Sequence, residues 1–169
     1  AEHGVAVLVG NSAEIESRED AYLALFEQQR VRGVLVSPIG AAAHKLERLA
    51  RHGIPSVIVD RDITGGPFTS VSVDDVTGGE LAVRHLAELG HRAIAYVGGP
   101  VGLRQVVDRY EGVERESARH PGMAIEFVQT PNLTIAARLH AGLEILDRPR
   151  DQWPTAIFGA NDLVALGLL

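Results

Sequence analysis

Short apolar runs alternate along this chain with longer stretches in which apolar residues recur every three or four positions. The runs predict strands at Val5 to Val9, Val34 to Ser37, Ser56 to Val59, Ser70 to Val73, Ala93 to Val97, Ile125 to Val128 and Ala156 to Phe158. The helical periodicity predicts helices at about Ile15 to Arg30, Ala41 to His52, Val76 to Leu89, Gly102 to Arg119 and Leu133 to Asp147, with a last one beginning near Asn161. Strands that alternate with helices specify an α/β fold with mainly parallel sheets. Most of the runs are apolar without a polar alternate, as expected of strands covered by helices on both faces.

The stretch from Asp74 to Pro100 carries the clearest punctuation. Ala82, Leu86 and Leu89 lie on one helical face, Gly90 stands where a helix C′ residue takes positive φ, and Ala93 to Val97 suits a buried parallel strand. Gly98-Gly99-Pro100 then turns the chain at the strand's carboxyl end. Gly65-Gly66-Pro67 is the strongest break elsewhere, followed by a short strand leading into Asp74. These breaks predict two lobes, residues 1–72 and 73–169. Ala1 enters a strand almost at once, and Val164 to Leu169 is an apolar helical run without a cap, so truncation at both ends is the expectation.

Composition narrows the function classes. With 169 residues, 46% of them hydrophobic, the chain can bury a core. A net charge of −6 without clustered Lys and Arg argues against this segment gripping a phosphate backbone. The absence of cysteine excludes disulfides and thiolate metal sites; it fits a cytoplasmic protein, the expected location, and is compatible with a periplasmic one. No apolar run reaches the roughly 18 residues that span a bilayer.

Enzyme signatures fail residue by residue. Gly98-Gly99-Pro100-Val101-Gly102 has proline where the dinucleotide fingerprint needs its second glycine, and neither a phosphate-loop Gly-Lys-Ser/Thr nor a Gly-x-Ser-x-Gly elbow occurs. The seven histidines show no paired zinc spacing. We therefore expect neither catalysis, nor a metal, nor a cofactor.

Parallel α/β sheets bind ligands beyond the carboxyl ends of their strands. Those ends carry Asn11-Ser12, Ser37-Pro38, Asp60-Arg61, Gly98-Gly99-Pro100, Gln129-Thr130 and Ala160-Asn161-Asp162. Carboxylate, carboxamide, hydroxyl and guanidinium groups together suit a neutral, hydroxyl-rich molecule such as a sugar or nucleoside.

Five segments in register carry a family resemblance. The run from His85 to Pro100, His-Leu-Ala-Glu-Leu-Gly-His-Arg-Ala-Ile-Ala-Tyr-Val-Gly-Gly-Pro, resembles the effector-binding core of LacI/GalR bacterial transcriptional regulators. Val31 to Pro38 resembles that family's second strand, and Gly53 to Arg61 its third. Arg109-Tyr110-Glu111-Gly112 is similar to its Arg-x-x-Gly helix, and Pro154 to Gly167 to its late strand and helix. The resemblance covers essentially the whole chain.

It implies a two-lobed fold like that of type I periplasmic binding proteins, incomplete here, with a small-molecule effector held between the lobes. Operator DNA would be bound by a helix-turn-helix absent from this chain, by a homodimer and without a membrane. The apolar run Val164 to Leu169 would lie near the dimer contact or pack against residues outside the chain. A periplasmic sugar-binding protein of an import system is the alternative that shares this fold.

The implied ligand set is Asp60, Arg61, Gln105, Arg109, Asn161, Asn11 and Ser37. Four of them have a plainer reading beside this one. Asp60 and Arg61 form a surface ion pair or loop cap in that reading; Arg109 pairs with Asp108 or Glu111 along its helix; Asn161 caps the helix that follows. Asp74 and Asp75 cap the Val76 helix near the lobe crossing, and Asp162 is a first-turn acid. Where many relatives carry an aromatic residue after the sixth strand, this chain has Asn132-Leu133-Thr134, and Gln105 stands where they often have a small hydroxyl residue. Trp153 is expected to pack at the edge away from the cleft.

Overall fold

A computed structural model describes residues 4–13, 15–39, 43–61, 68–132 and 135–168, without the side chains of residues 43 and 135–138. Two compact units follow one another, Ala1–Val73 and Asp74–Leu169.

The first unit runs α1 (Glu16–Gln28), β1 (Val34–Val36), α2 (Ala43–Arg51), β2 (Ser56–Val59) and β3 (Thr69–Val71). Its sheet has the order β1-β2-β3 with every pair parallel, Val36 opposite Ile58 and Val59 opposite Val71. Val34 and Ile58 point to the same side and pack with Leu23, Leu46, Leu49 and Ile54 into one core. The opposite row is different: Leu35, Val59 and Val71 are exposed. Coverage of both faces therefore does not hold for this sheet among the described residues.

Val5 to Val9, expected as a strand, joins no ladder among the described residues, and Val5, Val7, Leu8 and Val9 are exposed. Apolar composition makes a strand only where a neighbour supplies backbone donors and acceptors. The segment instead leads past Tyr22, whose ring lies so near Gly10 that a Cβ there would sit 2.7 Å from its Cγ.

The second unit runs α3 (Asp75–Glu88), β4 (Ala93–Gly98), α4 (Arg104–Ser117), β5 (Ala124–Gln129), α5 (Ile135–Leu146), a 3-10 turn (Arg150–Gln152), β6 (Ala156–Gly159) and α6 (Asp162–Leu168). The sheet order is β5-β4-β6, again all parallel. As the central strand, β4 buries Ile94, Ala95, Tyr96 and Val97 in succession, so here both faces are covered. Tyr96 anchors the core. Its ring centroid lies 5.5 Å from Tyr110, 5.3 Å from Phe127 and 5.3 Å from Phe158, and its hydroxyl donates to the Val106 carbonyl at 2.9 Å. Burial pushes that phenol well above its ordinary range.

Helix α3 ends as its sequence predicts. Gly90 has φ +91°, its N–H donates to the Ala87 carbonyl at 3.0 Å, and the His91 N–H reaches back to the Leu86 carbonyl at 3.0 Å. That pair of bonds is the Schellman stop, which needs a residue free of the Cβ penalty at C′.

Candidate functional site

Each parallel sheet directs the carboxyl ends of its strands to one side, and Ser37, Asp60, Arg61 and Asn161 follow those ends. In the first unit, Ser37 leaves β1 and is exposed, while Asp60 and Arg61 leave β2 half-buried. Asp60 has φ +66°, uncommon for a residue with a Cβ, and its N–H donates to the Val71 carbonyl at 2.8 Å. Asn11 is exposed and its Oδ1 accepts the Ala13 N–H at 2.9 Å, a local turn bond.

A charge network with a buried Lys45–Glu19 pair at its centre steadies this end of the unit. The Lys45 ammonium lies 3.2 Å from Glu16, 3.3 Å from Glu19 and 2.8 Å from Asp20, and both Lys45 and Glu19 are buried. Burial alone would lower the ammonium's pKa; the three carboxylates outweigh it and raise the group above its ordinary value. The second Glu19 oxygen accepts the Ile39 N–H at 2.9 Å, which ties the chain just after Ser37-Pro38 to α1.

In the second unit the expected residues come from two elements. Gln105 and Arg109 are one turn apart on α4, and Asn161 joins β6 to α6. Arg109 is half-buried. Its Nε donates to Asp75 Oδ1 at 2.8 Å, its Nη2 lies 2.8 Å from the same oxygen, and its Nη1 donates to the Ala160 carbonyl. The guanidinium therefore joins the first turn of α3, the middle of α4 and the carboxyl end of β6. Asn161 Oδ1 accepts the Val164 N–H at 2.9 Å and caps α6, with Asp162 in the first turn.

Asp75 is the residue that sequence reasoning placed in a different role. Asp74 caps α3, accepting the Thr77 N–H at 2.8 Å and the Thr77 hydroxyl at 2.7 Å, and these bonds hold its carboxyl below the usual range. Asp75, one residue on, is buried and turned to Arg109, 34 positions away. Neither Asp108 nor Glu111 is the carboxylate on Arg109 in these contacts: Asp108 accepts Arg104 Nε at 3.0 Å, and Glu111 binds Arg115. The one available signal was the Arg-x-x-Gly spacing, because Gly112 permits the helix crossing that brings Asp75 within reach.

That crossing is unusually close. A Cβ on Gly79 would lie 2.1 Å from the Arg109 carbonyl oxygen, and one on Gly112 would lie 2.0 Å from that of Val76. Farther along the same helix pair, the buried Glu116 accepts Arg84 Nε at 3.0 Å and Arg84 Nη2 at 3.1 Å and also binds Arg119. Trp153 lies before the amino end of β6, where its Nε1 donates to the Arg148 carbonyl at 2.8 Å and Arg150 covers its ring. It belongs to the packing at the other end of the sheet. Leu133 and Thr134 lie outside the described residues, and Asn132 is exposed.

Among the described residues no group of three or more His, Cys, Asp or Glu side chains could hold a metal ion. No helix among them is long and apolar enough to cross a membrane.

Comparison with known proteins agrees with this fold. A periplasmic binding protein-like domain matches residues 83–169. The regulator DegA of Bacillus subtilis, an HTH-type transcriptional regulator, is 30% identical over 171 residues, covering 97% of this chain and 49% of its own length. The chain spans about half the length of the curated relatives it matches. Among solved structures, the Cra transcriptional dual regulator of Pseudomonas putida in complex with fructose 1-phosphate aligns with a TM-score of 0.86 at 20% identity, over 99% of this chain and 62% of that one. A Caulobacter myo-inositol binding protein bound to myo-inositol aligns at 0.84 and 28% identity, over 99% and 59%. The fold is that of type I periplasmic binding proteins. With more than half of its length matched, the chain belongs to the periplasmic binding protein-like domain family.

Proposed function

We propose that this chain is the effector-sensing core of a LacI-type bacterial transcriptional regulator, and that its effector is a small polyhydroxyl compound such as a sugar. The observation that carries this reading is the guanidinium of Arg109, fixed at the carboxyl end of β6 beside Asn161, with Gln105 one turn away. Such a group offers planar donors to hydroxyl oxygens, Asn161 adds a carboxamide, and no metal-holding group of His, Cys, Asp or Glu accompanies them among the described residues. Asp60, Arg61 and Ser37 stand at the first unit's own strand ends, and Asn11 follows the segment that joins no ladder among the described residues.

In this reading the protein senses and does not catalyse. Effector changes the balance between two conformations by binding one more tightly than the other, and a DNA-binding domain outside this chain responds as part of a homodimer. Cytoplasmic location follows from the same role. The DegA likeness supports a regulator, whereas the likeness to a myo-inositol binding protein keeps an import receptor as the second reading.

A thermal-shift screen of the chain against sugars, inositols and nucleosides tests the ligand class, since a compound that binds only the folded state raises its midpoint by mass action. Concentration-dependent shifts with a polyhydroxyl compound are expected, reduced in Arg109→Gln. A flat response to all of them would overturn the ligand class. A gel-shift with the protein as its gene encodes it, on its own upstream DNA, separates the two readings: a specific complex that responds to the same compound supports the regulator, and none supports the receptor.

A further inference from the structure

We propose that Asp75 makes the Arg109 subsite selective for uncharged ligands: by neutralising the guanidinium, it turns a ready anion site into one that accepts hydroxyl groups and rejects phosphorylated or carboxylated compounds. This rests on the reading of Arg109 as a ligand contact and narrows its substrate class.

An unpaired arginine fork in a cleft binds phosphate or carboxylate well, because two parallel N–H groups match two oxygens. Arg109 has that fork already engaged. Nε and Nη2 both converge on Asp75 Oδ1 and Nη1 donates to Ala160, so three of the five N–H groups are committed. The two remaining hydrogens, one on each terminal nitrogen, are held in fixed directions and can donate to neutral oxygens. An arriving anion would meet the Asp75 carboxylate behind the guanidinium. Asp75 is only 9% exposed, so water screens that repulsion poorly.

Two neighbouring arginines and the first turn of α6 are answered in the same way, whereas the first turn of α4 carries no acid and no side-chain cap. Arg104, at the start of α4, donates to Asp108 at 3.0 Å, and Arg115 binds Glu111. The first turn of α6 is met by Asn161 Oδ1 on the Val164 N–H and by Asp162. Gln105 and Asn161 are neutral. Arg92, which donates to the Ala87 and His91 carbonyls, precedes β4 and so lies at the amino end of the sheet.

The test is a phosphate titration followed by calorimetry at constant ionic strength, on the wild-type chain, Arg109→Gln, Asp75→Asn and the double variant D75N/R109Q. Asparagine keeps an oxygen to accept from Arg109 and removes the charge. Inorganic phosphate should not bind wild type saturably, should bind D75N at least tenfold more tightly, and should lose that gain in the double variant. Saturable phosphate binding by wild type that R109Q abolishes would overturn the proposal, as would a folded D75N that gains nothing. If D75N does not fold, the comparison of wild type with R109Q decides alone. The polyhydroxyl screen is a separate readout: its failure alongside the expected phosphate results removes the proposed ligand class and leaves the charge selection standing.

Discussion

Gly79 and Gly112 face each other where α3 crosses α4, and each is packed against the other helix's backbone. A Cβ at Gly112 would stand 2.0 Å from the Val76 carbonyl oxygen and one at Gly79 2.1 Å from that of Arg109. Because these obstacles are main-chain atoms, no side-chain rotation relieves them. The glycine pair thus sets the helix separation, and that separation sets the reach between Asp75 and Arg109.

Gly112→Ala should accordingly cost about 3 kcal/mol or more, since overpacking against backbone must push the helices apart. Gly78, next to Gly79 on the partner helix α3, supplies the control. Nothing lies within 4 Å of a Cβ there, so Gly78→Ala should stabilise by about 0.5–1 kcal/mol through helix propensity. Urea unfolding of both variants checks the pair; equal midpoints for the two would remove the close-crossing argument.

Glu116 gives the fold an acid limit. Hydrogen bonds from Arg84, opposed by burial and assisted by Arg119 and His120, bring its carboxyl down to about 2. A carboxyl whose pKa is lower folded than unfolded adds stability that is complete above the unfolded value, about 4.5, and is lost as pH falls toward 2. Glu116→Gln should flatten that acid limb and cost about 1–3 kcal/mol at pH 7. Unfolding midpoints measured from pH 7 to pH 3 read both effects, and parallel curves for variant and wild type would contradict the assignment.

Lys45 behaves in the opposite sense. Its folded pKa is raised, so its contribution is present below the unfolded value of 10.5 and is lost only at higher pH. Removing it should be severe, because Glu19 would remain buried and uncompensated: Lys45→Met is expected to cost about 3–5 kcal/mol. Adding Glu19→Gln keeps an acceptor for the Ile39 N–H and should recover at least about 1 kcal/mol. Denaturant titration of K45M and K45M/E19Q measures the recovery, and strict additivity of two losses would show that the charges are not coupled.

The fold was legible wherever local rules and tertiary demand coincide. Gly90 and the β4 run announced themselves because a helix stop and a buried strand are local chemistry. Val5 to Val9 misled because a strand also needs a neighbour, which composition does not reveal, and Leu35 with Val71 misled because helical cover on the second face is a tertiary fact. At the candidate site, a motif and a strand end led to Arg109 and Asn161 as proposed ligand residues. Asp75 could not be paired with Arg109, since a contact across 34 positions depends on how closely two helices cross, and that closeness resides in Gly79 and Gly112.

Asn161 offers a way to separate scaffold from recognition in one position. Its Oδ1 caps α6, and its carboxamide hydrogens remain the groups that could address a hydroxyl ligand. Asn161→Asp retains a good N-cap acceptor and adds a charge favoured at a helix N-terminus, so stability should hold within about 0.5 kcal/mol. Asn161→Ala removes the cap and should cost about 1 kcal/mol. If the residue also binds effector, N161D will weaken the polyhydroxyl compound that gives the largest thermal shift by about tenfold, the value of one lost hydrogen bond. Calorimetry on N161D with unchanged affinity would leave Asn161 as a cap alone and shift the donor role in this unit to Arg109 and Gln105.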